Sequence, residues 1–347
     1  MMHHWHSAVD TGQSVRIVFI DFAKAFDRVD HNVLMSKLVD LDQPDIIVRW
    51  IYSYLLDRRQ RVKVGDVLSD WLPQTAGMPQ GSYLGPLTFA ILIASLQPPC
   101  HIHKFIDDTT MTEVITKGST SCMQAFVDEL VSQSTQIGMT VNGKKTKEMV
   151  IGSVIKNPPV PVSLNDMTVD QVSTFKLLGV HISNDLKWTQ HIDAVSSKIA
   201  SRLYFLRQLK RSGATYSDLL SFYCTVIRPI AEYASPVWHS SLTVAQSDVL
   251  ESLQKGAMNI IFPGNNYTGV LTIAGVDTLR SRRETLTRRF FTRHVLDEKS
   301  CLHYLLPPKR DEKITARLRK SRTFEICRSK TNRFYNSFIP YSIRNFQ

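Results

Sequence analysis

Two apolar segments of this sequence end on aspartates, and this pattern constrains the fold more than any other feature. Val15–Ile20 is followed by Asp21, and His103–Ile106 is followed by the pair Asp107-Asp108. Each segment has strand-like composition, so we expect neighbouring strands to bring three carboxylates to one place. Carboxylates held together repel one another, and a divalent cation usually relieves that repulsion. An Asp-Asp pair is also common in ordinary turns, so the pair alone leaves both interpretations open.

Length and composition indicate an ordinary globular protein. The chain has 347 residues and 43% hydrophobic residues, enough for two domains and a substantial core. No apolar run approaches the roughly 18 residues that a membrane helix needs, so we expect no membrane partner. The first residues, Met1–His6, lack the apolar core of a signal peptide. The five cysteines are scattered without a Cys-x-x-Cys pair, which favours a reducing, intracellular compartment over a disulfide or zinc framework.

The positive charge is concentrated at the end of the chain. Residues 276–347 contain 18 Lys+Arg and 7 Asp+Glu, so this segment carries 18 − 7 = +11, which equals the net charge of the whole chain. Clusters such as Arg280–Arg283, Arg288-Arg289 and Arg317–Lys320 suit a polyanion such as nucleic acid. A solvated or disordered basic tail explains the same composition, and the sequence leaves the two alternatives open.

The order of predicted elements divides the chain into an α+β part and an all-α part. Hydrophobic periodicity and turn signals predict strands at 15–21, 61–65, 148–151 and 175–180, a hairpin at 101–115, and helices at 33–41, 44–56, 84–96 and 121–137. From Trp188 onward the periodicity predicts helices at about 192–209, 216–227 and 244–261. We therefore expect an α+β domain in residues 1–183, a helical region in 184–275 and a basic C-terminal region in 276–347.

Several segments together resemble the motifs of a reverse transcriptase palm. Phe19–Asp27, Gly77–Pro86 and Phe105–Asp108 resemble motifs A, B and C in order and separation. Asn142–Thr146 resembles motif D, and Phe175–Val180 resembles motif E. The variants are most similar to those of non-LTR (LINE-type, jockey-like) retrotransposons, and the resemblance covers nearly the whole chain. Five motifs in the right order favour a metal site over an ordinary turn at the aspartate pair.

The resemblance implies a fold and an activity. The fold would be a polymerase palm, an antiparallel sheet packed on helices, followed by an all-α thumb and the basic region. The activity would be RNA-directed DNA polymerisation, in which a DNA primer is extended on an RNA template with deoxynucleoside triphosphates. Asp21, Asp107 and Asp108 would hold two Mg²⁺ ions, with Mn²⁺ as a possible substitute. Two such ions stabilise the attacking and leaving oxygens of phosphoryl transfer.

Five further residues match positions that contact the nucleotide or template in the family. The backbone carbonyl of Phe22 would add a metal ligand, and Phe26 would be a steric gate against a ribose 2′-OH. Gln80 and Gly81 would contact nucleotide and template, and Lys145 would assist the pyrophosphate. Each has an ordinary structural alternative: Phe26 as core, Gln80-Gly81 as a turn, and Lys145 as a surface lysine.

The sequence departs from the family at its start, because only Met1–Ser14 precede motif A. Most of the fingers, which grip the triphosphate, and the N-terminal endonuclease are expected to be missing. A weak or inactive enzyme is therefore expected, since the loss of positioning contacts lowers the rate. The alternative function is a catalytically inactive nucleic-acid-binding remnant of such an element. A nuclease using the same carboxylates has no supporting motif.

Overall fold

The chain forms two compact units, which we describe separately. The structure, a computed structural model, describes residues 1–79, 81–311 and 322–347. One unit, the sheet unit, contains residues 13–173. The other, the helical unit, contains residues 174–347 together with the N-terminal residues 1–12, which form helix α1 (Met2–Asp10). The functional division expected at residues 183 and 275 stays a prediction.

The sheet unit contains short and long strands with four helices between them. Its helices are α2 (His31–Asp40), α3 (Asp45–Leu55), α4 (Leu84–Ala94) and α5 (Met123–Gln136). Its strands are β1 (Ser14–Ile20), β2 (Arg59–Gln60), β3 (Lys63–Val64), β4 (Val67–Leu68), β5 (Leu72–Pro73), β6 (His101–Phe105), β7 (Asp108–Ile115), β8 (Lys147–Ile151), β9 (Ser163–Leu164), β10 (Met167–Thr168) and β11 (Asp170–Gln171). The predicted helices and the predicted hairpin are confirmed within a few residues.

Five of these strands form the main sheet, in the order β11-β8-β1-β7-β6. Strand β1 pairs antiparallel with both β7 and β8, and every one of its residues is buried. The sheet is mixed, because the edge strand β11 runs parallel to β8. The expected palm, a sheet packed on helices, is confirmed, with four antiparallel strands and one short parallel strand at the edge.

A buried ion pair lies in the middle of the sheet. Arg16 on β1 donates from Nε to Glu148 Oε1 on β8 at 2.8 Å, and both side chains are almost completely buried. Arg16 also donates to the carbonyl of Val160 at 2.6 Å, while Glu148 accepts the backbone N–H of Val162 at 2.8 Å. These added hydrogen bonds compensate the cost of burying two charges. They also hold the proline-rich segment 158–161 against the sheet.

The hydrophobic core of the sheet unit lies between one face of β1 and the helices. Val18 and Ile20 of β1 belong to the same buried cluster as Phe89 and Leu92 of α4. Helix α4 is apolar on all sides, and its side opposite Phe89 and Leu92, which includes Leu87, is exposed. Asp30 caps α2, because its carboxylate accepts the N–H groups of Asn32 and Val33. This cluster therefore packs against β1 directly before Asp21.

The helical unit begins with a hairpin and continues as helices. The hairpin is β12 (Thr174–Leu177) and β13 (Val180–Ser183). The helices are α6 (Thr189–Arg211), α7 (Tyr216–Phe222), α8 (Arg228–Glu232), α9 (Ser235–Trp238), α10 (Val244–Ile261), α11 (Tyr267–Ala274), α12 (Leu279–Phe290), α13 (Asn332–Tyr335) and α14 (Phe338–Asn345). Two π-helical turns, Tyr223–Ile227 and Phe291–Val295, extend α7 and α12.

The single strand predicted at Phe175–Val180 is wrong. A tight turn at Leu178-Gly179 divides it, and both residues have positive φ, 47° and 83°. A Cβ at position 179 would lie 3.1 Å from the Tyr233 ring, so glycine is required there by backbone angle and by close approach. The tyrosine hydroxyl donates to the Leu178 carbonyl at 2.9 Å, which fixes the turn against the following helices.

The two ends of the chain meet within the helical unit. The Asp10 carboxylate at the end of α1 accepts the backbone N–H of Lys330 and both the N–H and the hydroxyl of Thr331, at 2.6–3.1 Å. The His3 ring packs against Phe334, with 5.7 Å between centroids. Part of the basic C-terminal region is therefore a packed structural element rather than a free tail.

Candidate active site

The three predicted aspartates lie at the same end of the main sheet. Ile20, the last residue of β1, pairs with Thr109, so Asp21 follows β1 where Asp108 opens β7. Asp107 occupies the two-residue turn between β6 and β7. From the sequence we expected β6, the strand that precedes the aspartate pair, to lie beside β1. In the structure the neighbour of β1 is β7, the strand that follows the pair. The carboxylates come together all the same, because the pair sits at the turn that joins these two strands.

The negative charge at this end of the sheet is poorly compensated. Burial raises the pKa of Asp108, and the neighbouring charges of Asp107 and Asp21 raise it further. Asp21 Oδ2 is buried and accepts no hydrogen bond. The Lys145 ammonium lies 4.0 Å from this oxygen and is largely exposed. The site thus combines repulsion among three acids with an oxygen that has no donor, which is typical of a cation site.

The turn that carries Asp107 is held in a strained conformation. Ile106 has φ of 55°, which is unfavourable for a β-branched residue. Its side chain packs against the hydrophobic core of the sheet unit, and this contact offsets the strain. The turn is therefore fixed by packing and not by a turn-forming residue such as glycine.

Lys104 connects this hairpin to helix α4, and sequence reasoning missed its role. Its Nζ donates to the carbonyl oxygens of Ile93 at 2.7 Å and of Ala94 at 3.2 Å. These carbonyls belong to the last turn of α4, where a cation is favoured by the helix dipole. Burial lowers the pKa of Lys104. The sequence alone shows only a lysine in a strand. Its two acceptors are the carbonyls at the end of α4, about ten residues earlier, and this contact forms only in the folded chain.

Phe22 and Phe26 lie close behind the aspartates. Phe22 is buried and forms an isolated bridge with Val141. Beside this bridge, the Asp21 carbonyl accepts the N–H of Asn142 at 2.7 Å. Phe26 is half-buried, and its ring centroid lies 5.0 Å from that of Phe89 in the core. The core role of Phe26 is therefore real, and the steric-gate role stays a prediction.

The glycine-rich loop before α4 is anchored to the segment that follows Asp21. Met78 donates its N–H to the Phe26 carbonyl at 2.8 Å, and Gly77 donates to the Val29 carbonyl at 2.8 Å. A Cβ on Gly77 would lie 2.9 Å from the Asp27 carbonyl oxygen, so the close approach requires glycine. Gly81 also has positive φ, 84°. Gln80 lies outside the described residues, so its predicted contact stays a prediction.

Lys145 belongs to a turn, Asn142–Thr146, that is tied to Asp21. The Asp21 N–H donates to Thr146 Oγ1 at 3.3 Å, and Thr146 is completely buried. This tie explains why Lys145 projects near the aspartates although it comes more than a hundred residues later. The position agrees with a role at the site, whereas the exposure of the side chain agrees with a surface lysine.

Carboxylate oxygens are the ligands that Mg²⁺ prefers, so the chemistry of the three aspartates fits that ion. Among residues 1–79, 81–311 and 322–347, however, no three His, Cys, Asp or Glu side chains are arranged to hold a metal ion. The carboxylates are neighbours without forming a finished ligand set.

The basic C-terminal region divides into buried and exposed arginines. Arg283 is completely buried, and its guanidinium lies 5.6 Å from the centre of the Trp238 ring. Arg282 forms an ion pair with Glu232 at 3.0 Å. Arg288 and Arg289 are exposed. The cluster Arg317–Lys320 lies outside the described residues. The polyanion interpretation therefore applies to only some of these residues, because others support the fold.

No helix within the described part of the chain is long and apolar enough to cross a membrane.

Comparison with known proteins gives one family. The family described as "Reverse transcriptase (RNA-dependent DNA polymerase)" matches residues 2–182. The chain is 28% identical over 300 residues to the "Probable RNA-directed DNA polymerase from transposon BS" of Drosophila melanogaster, which is 82% of this chain and 33% of that protein. It is 25% identical over 239 residues to the "RNA-directed DNA polymerase from mobile element jockey" of the same species, which is 63% of this chain and 25% of that protein.

The chain thus spans a third or less of the length of these relatives. Among solved structures, the telomerase of Candida albicans in complex with a fragment of telomeric RNA matches 88% of this chain and 52% of its own. The identity is 13% and the TM-score is 0.40, so this likeness supports no further conclusion. The resemblance predicted from the motifs is confirmed by the family match, and because that match takes in more than half of the 347 residues, the chain belongs to the reverse transcriptase family.

Proposed function

We propose that this chain is the polymerase part of a retrotransposon reverse transcriptase, an RNA-directed DNA polymerase. The observation that carries the proposal is the meeting of Asp21, Asp107 and Asp108 at one end of the sheet with an uncompensated charge. Family membership supports the same activity, since the match includes all three aspartates. The substrates would be an RNA template, a DNA primer, their hybrid and deoxynucleoside triphosphates.

Asp21, Asp107 and Asp108 are the residues proposed to hold two Mg²⁺ ions, with Mn²⁺ as a substitute. When bound, such ions stabilise the charge on the attacking and leaving oxygens of nucleotidyl transfer. Reverse transcriptases generally use divalent metals. Asp21 Oδ2, which has no hydrogen-bond donor, is the oxygen best placed to gain a cation. Because Mg²⁺ usually keeps several waters and also binds substrate phosphates, the three carboxylates would supply only part of its ligands.

The remaining site residues are proposed to position the nucleotide. Phe26 would exclude a ribose 2′-OH, with its ring supported by Phe89. Gln80 and Gly81 would contact nucleotide and template, and the Phe22 carbonyl would add a metal ligand. Lys145, near Asp21, would balance the charge of the leaving pyrophosphate. All these positions belong to the sheet unit, so the proposal needs no contribution from the helical unit.

Primer extension tests this function. The full chain should extend an oligo-dT primer on poly-rA with dTTP and Mg²⁺, and Asp21→Asn should lower the rate by about 10³-fold because a transition-state charge loses its stabilisation. Asp27→Asn is the matched control, since Asp27 is exposed and lies in the same segment, and it should extend normally.

Extension that is equal in wild type and Asp21→Asn would refute the assignment. No extension by any variant, with retained binding of the RNA–DNA hybrid, would instead support a nucleic-acid-binding remnant. Cleavage of the template without extension would indicate a nuclease.

A further inference from the structure

A two-stranded ribbon protrudes from the sheet unit. Residues 58–74 form it through β2 with β5 and β3 with β4, and each pair is antiparallel. Every residue from Leu56 to Pro73 except Arg58 is exposed. The sequence predicted only an edge strand at 61–65, so the return strand and its exposure are new information. A ribbon with both faces in solvent contributes little to the core. Packing therefore does not explain why its exposed residues include several cations and a tryptophan.

The register separates the ribbon into two different faces. Side chains alternate along a strand, so Arg59, Arg61 and Lys63 share one face. The Arg61 guanidinium lies 4.5 Å from the centre of the Trp71 ring, which places Trp71 on the same face. The opposite face carries the exposed apolar residues Val62, Val64, Val67 and Leu72.

A bulge divides the return strand of the ribbon. Gln60 pairs with Leu72 and Lys63 with Leu68, so two residues of one strand face three of the other. The register pairs Leu68 with Lys63, so this bulge interrupts the alternation of side chains between Leu68 and Trp71. Asp66 lies in the turn beyond β3. Three cations at alternate positions, about 7 Å apart, therefore line the face, and residues 59–64, which carry them, include no acidic residue.

We propose that this face of the ribbon binds single-stranded nucleic acid. Three cations in a row can follow successive phosphates, and Trp71, with 55% of its surface exposed, provides a platform on which a base can stack. An acidic polypeptide would suit the cations equally, but it would make no use of the exposed indole. The site is separate from the aspartates, and its test requires binding only, so it does not depend on catalysis.

Fluorescence anisotropy with a labelled oligo(rU) 20-mer and the full chain tests the charge. The variant Arg59→Gln/Arg61→Gln/Lys63→Gln should lower the slope of log affinity against log salt by about 2, since each phosphate contact to a single strand contributes about 0.7. The matched control Arg49→Gln/Lys117→Gln/Lys156→Gln removes the same charge from other exposed positions and should leave the slope nearly unchanged. Equal effects of the two variants would overturn the proposal.

Trp71 tests the stacking. Trp71→Ala should weaken binding roughly 5- to 150-fold, the equivalent of about 1–3 kcal/mol per stacked base, whereas Trp71→Phe should retain most of the affinity. Equal affinities of these two variants would refute a stacking role. Competition by poly-glutamate as effective as by oligo(rU) would show that the face binds acidic polypeptides, and this outcome would also overturn the proposal.

Discussion

At the end of the main sheet three aspartates lie together, with the Lys145 ammonium 4.0 Å from Asp21 Oδ2, whereas in the helical unit the arginine cluster Arg280–Arg283 is partly buried and partly paired. Both clusters stand out equally in the sequence. The difference is the number of partners that the fold supplies. Asp21 Oδ2 has no donor, while Arg282 has Glu232. Arg283 has the Trp238 ring and two hydrogen bonds, and only its Nη1 lacks an acceptor among the described residues.

The comparison teaches how to interpret charge clusters. Like charges that the fold leaves without partners raise the free energy of the folded state, and they persist where a ligand relieves them. Charges that acquire partners are better explained as structural. The net charge of +11 in residues 276–347 therefore overstates the surface that is available to nucleic acid.

The largest expected effect is on the arginine side of the comparison. Arg283→Ala should lower the free energy of unfolding of the helical unit by about 3 kcal/mol, since it removes buried packing and leaves His239 and Ser247 without their donor. Arg280→Ala is the matched control; that side chain is exposed, and the change should stay within about 0.5 kcal/mol. Denaturant unfolding measures both. Similar small losses would show that the burial of Arg283 is not structural.

A second prediction concerns how the aspartate turn is positioned. Lys104→Met removes the cation at the end of α4 and should reduce primer extension about tenfold, with a weaker apparent affinity for Mn²⁺ measured by electron paramagnetic resonance. Lys104→Arg should restore most of both. The control is Lys210→Met, because Lys210 donates in the same way to the Ile260 carbonyl near the end of α10 in the helical unit.

Binding of Mn²⁺ provides a readout even for a chain without activity. If Lys104→Met and Lys210→Met leave Mn²⁺ affinity equally unchanged, Lys104 is a structural cap and does not position the aspartates.

The smallest expected effect is the dependence of stability on pH. The folded-state pKa of Asp108 is raised, so its stabilising contribution is present below the pKa of an unfolded aspartate and is lost as pH rises through the folded value. Asp108→Asn should therefore stabilise the sheet unit at pH 7 and much less at pH 3. The gain should stay below about 1 kcal/mol, because solvent screens this partly exposed group. Thermal unfolding at both pH values measures it, and a gain that is equal at both would contradict the charge explanation.

Local sequence signals predicted most of the helices. The predicted helix at 244–261 has the bounds of α10, since Thr243 caps it through a local hydrogen bond to Gln246. Helix α1 was missed, because Asp10 and His3 find their partners Lys330, Thr331 and Phe334 at the other end of the chain. The turn at Leu178-Gly179 was missed because an apolar run gives no sign of where it reverses.

The sequence by itself predicted the family, which the comparison confirmed, and it named the three aspartates as candidates, because motif order and residue type are properties of the chain alone. Only the tertiary structure decided which charges stay without partners, since partners come from distant segments. It showed that β7 and not β6 lies beside β1, that Lys104 joins the hairpin to α4, and that Arg283 is buried. It also showed that the edge strand expected at 61–65 is one half of a ribbon, with basic and aromatic side chains on one face. The sequence gives the number of charged residues, but the electrostatic energy of each one depends on its neighbours and its burial. Those neighbours are brought together only by folding.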